Sequence, residues 1–188
     1  MEKSNEKRAR ILDAAIDVFC AQGYDAASMA QVAAKAGIAK GTLYLYFESK
    51  QSLFEQTYQL CMQQRMRRCC EGIDPCAPVP DQLSQRLRNG MRWELEAPLK
   101  NRLVRVYQAH PQFNAALPDC PWASIGQLME QGLAAGELRP LPQELLGELF
   151  THFGSAVYYY IAAHPHLAED EALWENIRAG LRGCLCAD

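Results

Sequence analysis

The apolar residues of this chain recur at the spacing of α-helices. The first stripe predicts a helix over residues 4–22, with Gly23 ending it. Its members are Ile11, Ala15, Val18 and Phe19. No segment alternates apolar and polar residues over the length of a strand, so the pattern predicts an all-α fold of about nine helices. Glycines and prolines bound the later helices, at about 81–96, 98–109, 121–135, 142–164 and 168–186.

Two short helices after the first one form a candidate helix-turn-helix. Ser28 and Gln31 have the spacing of a capping box, in which each side chain bonds the backbone N–H of the other residue, so a helix begins there and stops at Gly37. The next helix spans residues 39–47, and Ser49 can cap a long fourth helix. Two short helices joined by a glycine turn are typical of helix-turn-helix units.

The chain is predicted to divide into two domains. Residues 73–80 contain three prolines and cannot continue the fourth helix, which predicts a linker there. Residues 1–50 are expected to form an N-terminal helix-turn-helix head of three helices, and the fourth helix, residues 50–71, connects this head to the rest of the chain. Residues 72–188 are expected to form a helical-bundle body for regulation and dimerisation.

Charge is distributed unevenly along the chain. The net charge is −3 at neutral pH, which argues against a cationic surface over the whole protein. Residues 1–50, however, hold 7 Lys and Arg against 6 Asp and Glu, whereas residues 111–188 hold 3 against 10. A nucleic-acid site is therefore expected in the N-terminal part.

Several functional classes lack their sequence signals. A membrane-spanning helix needs roughly 20 apolar residues, and the charged N-terminus has no apolar stretch behind it as a secretory signal would, so no membrane association and a cytoplasmic location are expected. The chain has no G-x-S-x-G motif, no phosphate-binding glycine loop and no set of metal-spaced ligands. It is therefore predicted not to be an enzyme, and no cofactor or metal is expected.

The third helix divides into an apolar side and a side suited to DNA. Leu43 and Phe47 lie four residues apart and can pack the helix against the first two. The other side offers a lysine and a threonine for phosphates or base edges, a glycine where a backbone can approach closely, and phenols that bond phosphate. The predicted DNA-binding residues are Ser28, Lys40, Gly41, Thr42, Tyr44, Leu45, Tyr46 and Lys50. Leu45 is expected to lie beside the groove without reading a base.

Residues 5–55 resemble the DNA-binding region of the TetR/AcrR family of bacterial transcriptional regulators. The resemblance rests on Ser28, Ala33, Ala36-Gly37-Ile38, Lys40-Gly41-Thr42-Leu43-Tyr44, Tyr46-Phe47 and Ser49-Lys50. Two positions depart from the family pattern: Ala39 stands where a capping serine is frequent, and Tyr46 where histidine is common. The second departure leaves the operator sequence open.

The resemblance implies a homodimer that binds a palindromic double-stranded DNA operator, mostly as a repressor, and releases it when a small-molecule effector enters the body. It implies that the last two long helices pair across the two-fold axis. The interface candidates are Leu149, Phe153, Val157, Trp174, Ile177 and Leu181. The effector-pocket candidates are Trp93, Tyr107, Phe113, Trp122, Met129, Phe150 and Phe153.

The sequence is compatible with two other functions. The chain could be a helical protein-interaction module that kept the head but binds partners other than DNA. It could also be a regulator that senses oxidants through its eight cysteines, provided that one thiol is exposed and has a lowered pKa. Salt-dependent affinity for duplex DNA separates the first alternative from a DNA-binding regulator.

Overall fold

The computed structural model describes residues 2–113 and 122–187, and the regular elements of this part of the chain are all helices, which confirms the predicted all-α fold. A single antiparallel bridge joins Leu138 to Cys186 within it. Its helices are α1 (Glu2–Ala26), α2 (Met29–Lys35), α3 (Lys40–Tyr44), α4 (Lys50–Cys69), α5 (Val79–Glu96), α6 (Pro98–Ala109), α7 (Trp122–Ala134), α8 (Gln143–Ala163) and α9 (Glu171–Leu185), with a 3-10 turn at Pro165–Leu167. Across these residues, no helix combines the length and apolar character that crossing a bilayer requires.

The described chain forms two compact units. The first holds residues 2–64 and 97–113, and the second holds residues 65–96 and 122–187. The helix α6 therefore belongs to the same unit as α1, α2 and α3, although it comes after the proline-rich segment in sequence. The division of functions between residues 1–50 and 72–188 stays a prediction, since compactness alone does not assign a function to either part.

The core of the first unit is built on α1, which packs against α2 and α6. The predicted apolar stripe of α1 is confirmed, because Ile11, Ala15 and Phe19 are fully buried. The ring of Phe19 lies 4.7 Å from that of Phe54 on α4. The regular helix breaks at Gly23, whose φ of 78° is left-handed, so the chain bends where the sequence predicts the helix to end.

The second unit packs α5, α7, α8 and α9 around one apolar core. The proline-rich segment, residues 73–80, lies inside this unit and not at the boundary between the two compact units. Its backbone is held by side chains of the same unit: the Gln82 amide donates to the carbonyls of Pro75 and Ala77 at 3.1 and 2.8 Å. The backbone N–H of Val79 donates to the Glu137 carboxylate at 2.6 Å. These bonds anchor a segment that cannot bond within a helix.

Three arginines of the second unit, Arg65, Arg88 and Arg92, pair with carboxylates of the same unit. Arg88 and Arg92, on α5, pair with Glu171 and with Glu169, and these bonds lower the pKa of both carboxyl groups. Arg65 pairs with the buried Glu94 at 2.9 Å. These ion pairs give the three arginines a structural role within the second unit.

Candidate nucleic-acid interface

The N-terminus of α2 has the predicted capping box. The Ser28 hydroxyl accepts from the backbone N–H of Gln31 at 3.3 Å, and the Gln31 side-chain oxygen accepts from the backbone N–H of Ser28 at 2.8 Å. The same hydroxyl lies 2.8 Å from the Gln31 side-chain oxygen. Ser28 is thus engaged in starting the helix while it remains exposed to solvent.

The turn between α2 and α3 depends on a left-handed residue. Gly37 has a φ of 66°, and the N–H groups of Gly37 and Ile38 donate to carbonyls in the last turn of α2. A glycine reaches this conformation without the steric cost that a Cβ brings. Arg10 of α1 donates to the carbonyl of Ala36 at 3.1 Å and holds the same turn from outside. The two short helices therefore have a defined mutual angle.

The third helix presents one face to the core and the other to solvent. Leu43 and Phe47 have 0% and 1% of their surface exposed, which confirms the predicted inner side. Ala39 caps the helix without a side-chain hydrogen bond, as expected from the absence of a serine there. Lys40, Gly41, Tyr44 and Leu45 are exposed, and Thr42 and Tyr46 are half-buried. Buried apolar side chains therefore hold this segment against the core, and its solvent side presents a cation, a phenol and an apolar side chain.

The two tyrosines of this segment differ in their surroundings. Tyr44 has 45% of its surface exposed, and the ammonium of Lys40 lies 6.0 Å from its ring centroid. The hydroxyl of Tyr46 lies 3.4 Å from that of Ser4, in the first turns of α1. Tyr44 is therefore the freer of the two phenols.

Arginines of α1 support the third helix, a role that the sequence pattern does not identify. The guanidinium of Arg8 lies 5.5 Å from the ring centroid of Phe47 and donates to the Gln56 side chain at 2.7 Å. A signal was present in sequence, since Arg8 and Arg10 lie on the polar face of α1. The apolar periodicity of α1 does not show which residues of other segments these two arginines contact.

Comparisons with known proteins agree with this geometry. The family model described as "Bacterial regulatory proteins, tetR family" matches residues 11–57, which include α2 and α3. The fatty acid metabolism regulator protein of Bacillus subtilis (strain 168) is 32% identical over 84 residues, or 45% of this chain and 43% of that protein. The biofilm operon icaADBC negative transcriptional regulator IcaR of Staphylococcus aureus (strain Newman) is 38% identical over 52 residues, or 28% of each chain.

The fold agrees over nearly the whole chain. A crystal structure from Shewanella sp. PV-4, of a protein assigned to the tetR family of transcription regulators, matches with a TM-score of 0.84 and 25% identity, covering 97% of this chain and 99% of that one. The chain belongs to the TetR family of transcriptional regulators. The chain spans less than half the length of the fatty acid metabolism regulator protein and of IcaR.

Lys50 has a different role in this TetR family protein from the predicted phosphate contact. Its ammonium donates to the backbone carbonyls of Tyr24, Asp25 and Ala27 at 2.9, 3.1 and 3.2 Å. It also lies 4.4 Å from the ring centroid of Tyr24. An ammonium has three donors, and all three are used at the C-terminal end of α1. We therefore correct the prediction and leave Lys50 out of the DNA-binding surface.

The predicted effector-pocket residues do not form one group. Tyr107 stacks on Tyr58 with ring centroids 3.9 Å apart, and Phe113 packs on Phe54 at 5.3 Å, all within the first unit. Met129 and Phe150 are buried in the core of the second unit, and Phe153 packs against this core. Trp93 belongs to the same unit and is buried, with the guanidinium of Arg65 5.8 Å from its ring centroid. The side chain of Trp122 lies outside the described residues. Tyr107 and Phe113 therefore lie in a different unit from Trp93, Met129, Phe150 and Phe153, and a pocket lined by these residues stays a prediction.

The second unit has a cleft that the sequence does not indicate. It encloses about 130 Å³ between α5 and α9. Its lining residues are Asp81, Ser84, Gln85, Leu87, Arg88, Trp174, Ile177, Arg178 and Leu181. None of the predicted pocket residues is among them.

The predicted interface residues on α8 and α9 separate into two groups. Trp174 and Leu181 are 5% and 2% exposed and belong to the core of their own chain, so their prediction as interface residues is corrected. Their burial follows from the packing of α9 on α5 and α8. The others are partly buried against the same core: Leu149, Phe153, Val157 and Ile177. Part of the wide apolar face of α9 is therefore the side that packs into the core of its own chain.

The described cysteines differ in exposure and acidity. Burial raises the pKa of Cys20 to about 11 and that of Cys61 to about 12. Burial also raises the pKa of Cys69 and of Cys186. Cys70, Cys76 and Cys184 are exposed, and Cys120 lies outside the described residues. A raised pKa lowers the thiolate fraction at neutral pH, which argues against oxidant sensing by these four buried or half-buried thiols.

Proposed function

We propose that this TetR family protein is a dimeric repressor that binds a palindromic operator through α3 and releases it when a small-molecule effector binds the second unit. The observation that carries the proposal is the two-sided segment formed by α3 and the turn after it. Buried Leu43 and Phe47 attach this segment to the core, and Lys40, Tyr44 and Leu45 are exposed. A helix of this kind, second in a helix-turn-helix, is the element that enters the major groove in such units.

The exposed groups suit the two tasks of an operator-binding surface. Lys40, in the first turn of α3, offers a cation to a phosphate or a base edge. Tyr44 offers a phenol hydroxyl that bonds phosphate, and the N-terminus of α2 offers backbone donors beside Ser28. We assign DNA contact to Ser28, Lys40, Gly41, Thr42, Tyr44, Leu45 and Tyr46.

Dimerisation supports the proposal because a palindromic operator requires two-fold symmetry of the protein. TetR family regulators bind operators as dimers. In the second unit, α8 leaves Tyr159 and Tyr160 exposed by 62% and 50%, and Leu145 by 45%. We place the interface on α8 and α9, with the partly buried Leu149, Phe153, Val157 and Ile177 at its edge.

Repression and effector release rest on different support. Repression is supported by the similarity of the head to the Staphylococcus aureus negative regulator IcaR. Effector release rests on the family resemblance, and we place the effector in the second unit. The fourth helix runs from Lys50 to Cys69 and contributes residues to both units, so it gives a covalent route from the effector to the head.

Selection from a random duplex pool tests the proposal. An enriched inverted repeat whose affinity falls steeply with salt is the expected result. Binding that is absent, or that does not change with salt, would favour a protein-interaction module instead.

Two lysine variants then test the assignment of α3. Lys40→Ala is expected to lower operator affinity by about tenfold, since a bidentate or phosphate contact contributes on the order of 1–3 kcal/mol. Lys100→Ala is a matched control, because its ammonium bonds the Gln64 side chain at 2.8 Å and is not assigned to DNA. Equal affinity of the two variants would remove Lys40 from the interface.

A further inference from the structure

An exposed leucine directly after α3 is a feature of the head that its folding does not explain. Leu45 has 84% of its surface exposed, whereas Leu43 and Phe47 on either side of it are buried. It is more exposed than Leu99 and Leu145, which are 47% and 45% exposed. A single exposed leucine is common on protein surfaces, so exposure alone does not identify a site.

The conformation of Leu45 is fixed by its neighbours. Its own φ and ψ are −72° and −21°, and its backbone N–H donates to Thr42. The next two N–H groups, of Tyr46 and Phe47, both donate to the carbonyl of Leu43 at 3.0 and 3.1 Å. The apolar side chain is therefore presented on a rigid turn, and little backbone entropy is lost when a partner contacts it.

Gly41 lies one helical turn before Leu45 on the same face. A Cβ at this position would meet nothing within 4 Å, and its φ is not left-handed. Neither space nor backbone conformation within the chain therefore requires a glycine, although glycine in a helix is less stable than alanine. Gly41 and Leu45 therefore form a small apolar surface, and a second molecule can approach the backbone closely at Gly41.

We propose that Leu45 reads the C5-methyl group of a thymine in the operator, with Gly41 leaving room for the nucleotide; this rests on the proposed binding of DNA by α3. Leucine has no hydrogen-bonding group and cannot read the donors and acceptors of the major groove. The thymine methyl is the apolar group there that distinguishes one base pair from another. This role differs from the sequence-based expectation that Leu45 lies beside the groove without reading a base.

The test removes one methyl group at a time from the DNA. Each thymine of the selected operator half-site is replaced by deoxyuridine, which keeps every donor and acceptor. At one position, the wild-type protein is expected to lose affinity about three- to tenfold, the scale of one buried methyl group. Leu45→Ala is expected to weaken binding to the thymine operator by a similar factor and to show no further loss with deoxyuridine.

Leu99→Ala provides the matched control in the same unit, and it is expected to retain the full effect of deoxyuridine. Circular dichroism should show that Leu45→Ala stays folded, because its side chain contributes almost nothing to the core. An operator that is bound equally well with thymine and deoxyuridine at every position would overturn the assignment of Leu45. So would a methyl effect that persists in Leu45→Ala. Failure to select any duplex would overturn the proposed function itself. This result is distinct from selection of an operator that shows no methyl effect, which would overturn only the assignment of Leu45.

Discussion

The ammonium of Lys50 stabilises the head through hydrogen bonds to backbone carbonyls, and this structural role can be measured apart from any contact with DNA. We expect Lys50→Met to destabilise the head, because it removes the donor to the carbonyls of Tyr24, Asp25 and Ala27. Methionine keeps the apolar part of the side chain, so the change is mainly the loss of the ammonium. The carbonyls at the end of α1 then depend on water for their hydrogen bonds.

The expected magnitude follows from these contacts. The carbonyls are exposed or half-buried, so water replaces part of the lost bonding, and we assign about 1–2 kcal/mol to the three bonds together. The cation over the Tyr24 ring adds about 0.5–1 kcal/mol. The free energy of unfolding should therefore fall by about 1.5–3 kcal/mol. For a chain of 188 residues, this corresponds to a decrease in Tm of about 3–12 °C.

Thermal and denaturant unfolding measure this effect, and Lys35→Met is the control. Lys35 forms a single surface ion pair with Asp17 at 3.1 Å, with the two side chains 55% and 41% exposed, so its loss should cost less than about 0.5 kcal/mol. The salt dependence of DNA binding by folded Lys50→Met should equal that of the wild type. An unchanged Tm together with a salt slope reduced by about one would refute the structural role and restore the phosphate contact.

Two further predictions concern glycines and thiols. Gly37→Ala should lower the free energy of unfolding by about 1–2 kcal/mol because Gly37 has a φ of 66°. Gly41→Ala should leave the free energy of unfolding unchanged or raise it, because a Cβ there meets nothing within 4 Å. Denaturant titration of both variants measures these changes, and equal losses of stability would contradict the prediction. Cys20 and Cys61, with pKa values of about 11 and 12, should be alkylated by iodoacetamide far more slowly than exposed Cys70 at pH 8, with rates that rise as the pH rises. Peptide mass spectrometry reports each rate, and comparable rates would show that the thiols are not buried.

Local patterns predict most of the head. Spacing of apolar residues identified the buried faces of α1 and α3, and capping chemistry identified the start of α2 at Ser28. Gly37 marked the turn because its left-handed conformation is a property of one residue. Each of these signals acts within a few residues along the chain, where backbone geometry relates sequence to structure directly.

The errors concern contacts between distant segments. The periodicity of α9 shows that Trp174 is apolar, but it does not show whether the residue faces its own core or a second copy. Likewise, nothing local to Tyr107 indicates that it stacks on Tyr58. An aromatic residue in a core and one in a pocket have the same sequence signal, because both are apolar residues at helical spacing.

The amino-acid order alone thus establishes the helices, their caps and the chemistry offered by α3, since these depend on interactions within one or two helical turns. The partners of the long side chains depend on the assembled fold. Lys50 illustrates the difference: as a lysine at the start of a helix it is a reasonable phosphate ligand, and its engagement by carbonyls of Tyr24 to Ala27 exists only once α1 and α4 are packed. A flexible cation binds whichever acceptors the fold brings within reach, and residues more than twenty positions away supply them here.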